Sequence, residues 1–135
     1  MRISKKTQYG LRAIIFLAKK KGEIVPLSEI SKRERIPFYY LEKIFSLLEK
    51  ARIVGAKKGV QGGYFLKKDL QKIKAKKILE CLEGKTKLVE CLFDFCPREK
   101  ECSAKILWKE LDKSINKTLN NINLKDLILK NGKNK

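Results

Sequence analysis

The chain has 135 residues, 43% hydrophobic and 36% charged, enough apolar content for one compact core. No run approaches the roughly 18 apolar residues that a membrane-spanning helix requires, so none is expected. The formal net charge is +18 with no histidine, which removes every His-based catalytic pair and favours a polyanionic partner. The charge is uneven: residues 1–74 carry 19 Lys and Arg against 6 Asp and Glu, net +13, and residues 75–135 carry 14 against 9, net +5. A Lys-rich composition would account for the excess by itself; the pattern of elements in the same half turns it toward DNA.

The opening MRISKKTQYGLRAIIFLAKKKG has a basic start and an apolar middle, as a secretory signal does. Arg12 interrupts the apolar run and no small-residue cleavage site follows, so the segment is expected as an amphipathic helix over 4–20 in a cytoplasmic protein. Leu11, Ile14, Ile15 and Ala18 form its apolar face, and Gly22 ends it. After Pro26 a short second helix is expected, with Ser28 near its start. Ile36-Pro37 breaks it, because the residue before proline avoids helical geometry. A third helix follows over 38–50, with Leu41, Ile44, Phe45, Leu47 and Leu48 inward. Two short helices joined by a tight turn, after a longer first one, make a helix-turn-helix. The third helix would be the recognition helix, offering Tyr39, Tyr40, Glu42 and Lys43 to a groove.

Residues 52–66, RIVGAKKGVQGGYFL, hold two β-prone runs around a Gly-rich, Lys-bearing tip, the wing of a winged helix. No GxxxxGK[ST] is present, so a nucleotide cofactor is not expected. A linking helix is expected over 70–83, with Ile73, Ile78, Leu79 and Leu82 buried and Gly84 ending it. From Ser103 to about Asn121 a long helix carries Leu107, Leu111, Ile115, Leu119 and Ile122 as one apolar stripe, widened by Trp108. Few elements remain to cover it, which points to a homodimer; the alternative is that it folds back on the first helix. Residues 124–129 add a last helical turn, and 130–135 are expected as a disordered tail.

The fold class is therefore mainly α with a small β-hairpin wing. The expected organisation is a winged helix-turn-helix domain (1–68), a linking helix and cysteine-bearing loop (69–102), a dimerisation helix (103–129) and the tail.

Between the last two helices lies ECLFDFCPREKEC. Four residues separate Cys91 from Cys96 and five separate Cys96 from Cys102. In a cytoplasmic chain with a full core, clustered thiols mean metal or redox chemistry before disulfides. Soft thiolates suit an iron–sulfur cluster, with Cys91, Cys96 and Cys102 as ligands. Zinc is the alternative metal, disfavoured by the absence of a CxxC pair; three structural thiols is the remaining reading. An enzyme is not expected, since there is no nucleophile motif, CxxC or Cys–His pair.

The residues MRIS…YGLRA, LSEISKRERIPFYYLEKIFSLLEKARIV, KKGVQGGYFLKKD, the three cysteines, LWKEL and LNNINLKDLI give the chain its family likeness. Over roughly residues 1–130 it resembles the IscR/NsrR-type winged-helix regulators, and looks closest to their iron–sulfur branch. The resemblance implies a homodimer on a pseudo-palindromic double-stranded operator, with a long helix of each subunit crossing the other. It implies a 2Fe–2S or 4Fe–4S cluster on the cysteine loop; members without the cysteines use other signals. It places Pro37, Tyr40, Glu42 and Lys43 at DNA-contacting positions of the recognition helix, with Glu42 restricting sequence choice. A carboxylate in a phosphate-lined groove is tolerated where it accepts from a cytosine amine; otherwise Glu42 pairs with Lys43 or Arg35 on the surface. Lys58 matches a basic wing position that enters the minor groove, with Gln61 and the Gly62–Gly63 backbone near phosphate. Arg2, Lys5 and Lys6 are weaker backbone candidates.

Two features depart from that pattern. The first cysteine gap has four residues where close relatives have five. Lys105 stands where the iron–sulfur branch has a histidine, and its ammonium is a poor iron ligand at neutral pH. A fourth ligand would come from Asp94, Glu99 or Glu101, from Cys81, or from a group on a partner's first helix near Gln8. Cys81 sits on an apolar helix face and reads more readily as a small buried thiol. The function expected is a transcriptional regulator, a repressor by resemblance, sensing iron–sulfur status, nitric oxide or redox state. Its alternative is a cluster-free regulator answering to thiol oxidation, a zinc ion or a partner protein.

Overall fold

The computed structural model describes residues 2–84, 88–89 and 100–133. Helix α1 spans Lys5–Lys19, α2 Leu27–Glu34 and α3 Phe38–Lys50. Ser4 caps α1, its hydroxyl accepting from the Thr7 N–H at 3.2 Å, which satisfies one of the orphan donors of the first turn. The period of α1 buries Ala13, Ile14, Leu17 and Ala18 and leaves Leu11 and Ile15 half-buried. Pro26, not Ser28, occupies the cap position of α2 and makes no side-chain cap bond; Ser28 lies exposed in the first turn.

Arg35 closes α2 in left-handed geometry at φ 55°. Two bonds to Ser31 hold the turn: Ile36 N–H donates to its carbonyl at 3.2 Å, and the Ser31 hydroxyl donates to the Ile36 carbonyl at 2.6 Å. Arg12 of α1 ion-pairs with Glu34 and donates to its carbonyl. The chain then enters α3 through Pro37, whose fixed φ suits a helix start. Leu41, Ile44, Phe45 and Leu48 of α3 are buried against α1 and α2.

Strands β1 (Val54–Lys57) and β2 (Gly63–Leu66) form one antiparallel hairpin in the register Val54–Leu66 to Lys57–Gly63. Tyr64 also bridges to Val25 in the α1–α2 connection, by Val25 N–H to Tyr64 carbonyl at 2.9 Å and Tyr64 N–H to Val25 carbonyl at 2.8 Å. The wing is thus moored to the helical head through the start of β2, next to its loop. The mainly α fold with a hairpin wing is as expected.

Two expectations are corrected. The linking helix does not run from 70 to 83. A 3₁₀ turn covers Leu70–Lys72, Ile73 and Lys74 are extended, and α4 spans only Ala75–Glu83. The cause is a long-range pairing: Lys74 bridges to Asn123, Ala75 N–H donates to the Ile122 carbonyl at 2.8 Å, and Leu124 N–H donates to the Ile73 carbonyl at 2.9 Å. Ile73 is buried as expected, but from this extended joint.

The second correction is at the end of the chain. Helix α6 spans Leu124–Lys133 and so enters the stretch expected as tail; residues 134–135 lie outside the described ones. Asn123 and Asp126 form a reciprocal capping box, each side chain accepting from the other's backbone N–H at 2.9 and 3.0 Å. Leu124 joins the core fully buried.

Helix α5 spans Ala104–Asn121 and packs chiefly on α4. It is α6, rather than α5, that returns to α1. Of the stripe, Leu107 is 54% and Ile115 37% exposed, while Leu111 and Leu119 are half-buried. Ile122 lies just past the helix in extended geometry, half-buried, so it borders the stripe rather than continuing it on the helix.

Candidate DNA-binding face and cysteine segment

The exposed residues of α3 are Phe38, Tyr39, Glu42, Lys43, Ser46, Glu49 and Lys50. At 3.6 residues per turn they fall within one arc of about 140°; the remainder of the helix faces the head. Glu42 and Lys43 lie on this arc, and with Lys6, Tyr39, Ser46 and Leu47 they line a shallow depression between α1 and α3. Among the described residues no ion pair joins Glu42 to Lys43 or Arg35. The Glu42 charge is felt at the wing root: burial first, then Glu49 and Glu42, push the Tyr64 phenol above its ordinary range.

Pro37 is exposed at the head of α3. Tyr40 differs from the other candidates on this helix because it turns inward and is half-buried. Its ring meets Tyr9 edge-on at 5.0 Å and lies at 4.6 Å from Tyr39. Lys5 and Arg12 both sit over Tyr9, at 5.4 and 5.7 Å from the ring centre. Desolvation first, then the hydrogen bond with Tyr40 and the Tyr40 and Tyr9 phenols, raise the Tyr39 phenol above its ordinary value.

Lys58 and Gln61 are exposed in the wing loop. Gly59 there has φ 108°, a conformation costly for side-chain-bearing residues. Gly63 is required for a different reason: a Cβ on it would meet the Val25 carbonyl oxygen at 2.4 Å and carbon at 2.5 Å.

Of the expected cysteine ligands, Cys91 and Cys96 lie outside the described residues, as do Asp94 and Glu99. Cys102 is half-buried one residue before Ser103, the cap of α5. It lines a pocket of about 300 Å³ with Lys100, Glu101, Ser103, Lys105, Ile106 and Lys109. Lys105 is 9% exposed, the one residue of α5 that is buried among those described. A half-buried thiol at a pocket suits a soft centre, and an ammonium at the neighbouring turn does not. Among the described residues no three Cys, Asp or Glu side chains converge as a metal site.

Cys81 is not turned to that pocket. Its thiol donates to the Leu47 carbonyl of α3 at 3.1 Å, and burial pushes it above its ordinary value against the lowering effect of Lys77 and Lys6. It is the partly buried thiol expected, with a partner the sequence does not reveal. Its neighbours extend the contact. The Leu82 methyl groups lie against Gly10 of α1, where a Cβ would meet Leu82 Cδ1 at 2.5 Å. Glu83 accepts from the Ser4 N–H at 2.5 Å; that bond first, with the Ser4 and Thr7 hydroxyls and Lys6 assisting, draws its carboxyl below the ordinary value. Three consecutive residues of the last turn of α4 therefore touch α3, the middle of α1 and the cap of α1. None was singled out for this, because periodicity marks a buried face without naming what it faces.

Residues 3–130 match the Rrf2 family, described as iron-dependent transcriptional regulator. The chain belongs to the Rrf2 family. The "HTH-type transcriptional regulator IscR" of Sodalis glossinidius is 33% identical over 130 residues, covering 95% of this chain and 79% of that protein. The solved structure of CymR (YrzC), the global cysteine regulator of B. subtilis, superposes with a TM-score of 0.78 at 34% identity, covering 95% of this chain and 96% of that one. T. potens IscR gives 0.76 at 34% identity, covering 98% and 88%. The winged-helix family expected from the sequence is therefore the right one, and the Rrf2 relatives are transcriptional regulators rather than enzymes. Identity to IscR and to CymR is nearly equal, so overall likeness fixes the Rrf2 regulator and not its signal. No helix of the described residues is long and apolar enough to cross a membrane.

Proposed function

We propose that this Rrf2 regulator is a homodimer whose operator binding is set by an iron–sulfur cluster on Cys91, Cys96 and Cys102. The observation that carries the proposal is the last turn of α4. The chain runs from it into the cysteine segment, and its Cys81, Leu82 and Glu83 rest on α3, on Gly10 and on the Ser4 cap. A change of order in that segment thus bears on the helix that meets DNA, biasing two arrangements of the head.

In this scheme residues 1–68 are the DNA-binding domain, 69–102 the link and sensor, and α5, the first helix of the 103–129 stretch, the dimer helix. Glu42 and Lys43 meet base edges or phosphate, Pro37 sets the entry of the helix, and Tyr40 braces Tyr39 from behind. Lys58 reaches the minor groove and Gln61 the backbone. Leu107, Leu111, Ile115, Leu119 and Ile122 meet the same residues of a second copy. Three thiolates would hold the cluster, which would supply a redox- and ligand-sensitive centre; Lys105 requires the fourth ligand to come from elsewhere. Loss of operator binding on loss of the cluster would fit a repressor.

The test is anaerobic purification with iron and sulfide analysis, an absorption spectrum, and DNA binding of a Cys91/Cys96/Cys102→Ala variant. Iron and sulfide in the wild type, and altered DNA binding in the variant, are expected. Iron-free protein after anaerobic reconstitution, with unchanged DNA binding in the variant, would overturn it.

Lys105 in place of a histidine, and the near-equal identity to CymR, favour a second reading: a cluster-free regulator answering to thiol oxidation, a zinc ion or a partner protein. Equal DNA affinity with and without oxidant would exclude its thiol form.

A further inference from the structure

Phe38 is 46% and Tyr39 59% exposed at the first two positions of α3. Neither belongs to the core or to the half-buried residues packed on it. Burial of an aromatic ring is among the largest stabilising contributions a side chain makes, yet the fold leaves about half of each ring open to solvent at the end of the helix that enters a groove. We propose that Phe38, flanked by Tyr39, reads a thymine methyl group in the operator's major groove.

The chemistry narrows the partner. Phe38 has no polar atom, so phosphate, sugar hydroxyl and base amine or carbonyl groups are not its targets. The one apolar group a base pair shows in the major groove is the C5-methyl of thymine. On the exposed arc Glu42 and Glu49 are offset by Lys43 and Lys50, with Lys6 of α1 at its border, and the surrounding residues 1–74 carry net +13. That complements a polyanion and disfavours a second basic copy of this chain on this face.

Glu42 fixes where the methyl should lie. Phe38 and Glu42 are four residues apart, about 6 Å along the helix at 1.5 Å per residue. That is about two base steps at 3.4 Å each. If Glu42 accepts from a cytosine amine, the thymine read by Phe38 stands within about two base pairs of that cytosine. The inference rests on α3 being the recognition helix and adds a base identity to it.

The test uses the full chain. A duplex is selected from a randomised pool and resynthesised with deoxyuridine for thymidine at single positions, which removes only the methyl group. The wild type is expected to bind the uridine duplex about fourfold more weakly at one position per half-site, the factor that one buried carbon group contributes. Phe38→Ala should bind both duplexes alike, and Phe38→Leu should restore part of the discrimination. Unchanged thermal unfolding of Phe38→Ala, expected from its exposure, confirms that the fold is intact; Phe38→Leu covers the case in which it is not. Equal wild-type binding of every uridine duplex, or full discrimination retained in Phe38→Ala, overturns the assignment to Phe38. No sequence enriched from the pool would overturn the recognition-helix reading itself, a separate result.

Discussion

Gly63→Ala tests how the wing is held. Gly63 opens β2, and its missing Cβ lets the strand lie against the Val25–Pro26 peptide. An added methyl group would sit 2.4 Å from the Val25 oxygen and 2.7 Å from the Pro26 nitrogen. Both are backbone atoms, so no side-chain rotation relieves the clash. The wing must separate from the α1–α2 connection, which breaks the two Val25–Tyr64 hydrogen bonds. At about 0.5–1.5 kcal/mol each they contribute about 1–3 kcal/mol. The Tyr64 ring lies 4.9 Å from Phe45, and loosening that pair costs about 0.5–1.5 kcal/mol more. The expected loss is about 1.5–4.5 kcal/mol, read as a lower urea midpoint at fixed protein concentration, because the proposed dimer would make stability concentration-dependent. Gln61→Ala, exposed in the same hairpin, should stay within about 0.5 kcal/mol of wild type. Operator affinity should fall in Gly63→Ala, since Lys58 and Gln61 ride on the displaced hairpin. A Gly63→Ala protein within about 0.5 kcal/mol of wild type would refute the mooring.

Two further outcomes follow from other contacts. Glu83 has a folded-state pKa below its ordinary value because it accepts from the Ser4 N–H. Its contribution is therefore present above the unfolded value, near 4.3, and disappears as pH falls through the lower folded value. Glu83→Gln should cost under about 1 kcal/mol at pH 7, the charge being screened by solvent, and progressively less as pH falls through the lowered folded value; urea midpoints followed from pH 7 downward measure this, and a deficit that does not shrink would count against a charged cap. Ile115→Glu places a charge in the open stripe of α5, where Ile115 is 37% exposed in one chain. Sedimentation should show a monomer with the far-ultraviolet dichroism of the head retained; an unchanged dimer would remove α5 from the interface.

The helical head was legible because its packing is local and periodic. The 38–50 helix has the bounds the pattern predicts, and α1 is one residue shorter at each end. The wing was legible from glycine placement between β-prone runs. What escaped was set by residues far apart in the chain. The joint at Ile73–Lys74 is extended because Asn123 pairs with it, and no window around residue 74 contains residue 123. The start of α6 did have a local signal, the Asn123-x-x-Asp126 capping box. At the site, Glu42, Lys43, Lys58 and Gln61 are exposed as DNA candidates must be. Tyr40 matched a family position while its side chain packs on Tyr9, since a position in a motif does not fix which way a ring turns. Phe38 carries no signal of its own in the sequence, because an aromatic residue in a first helical turn suits core and groove alike.

Helix α5 inverts the usual pattern: Ile106 and Leu107 are exposed while Lys105 is buried. An amphipathic helix on a finished surface turns its apolar stripe inward; α5 does so only where it meets α4. Its far end is fixed, because Ile122 and Asn123 are stitched to Ala75 and Lys74 at the start of α4. Its near end follows directly on the cysteine segment. The opposite end of α4, at Glu83, leads into the same segment and rests on the Ser4 cap and the Leu47 carbonyl through Glu83 and Cys81. Helices α4 and α5 thus form a pair closed at one end by backbone hydrogen bonds and joined at the other by the thiol-bearing chain. Strain placed at the joined end cannot relax by sliding α5 along α4, because the stitched end resists it. In the proposed dimer such strain would appear as a tilt between them. That tilt would couple how two copies meet with how each presents α3.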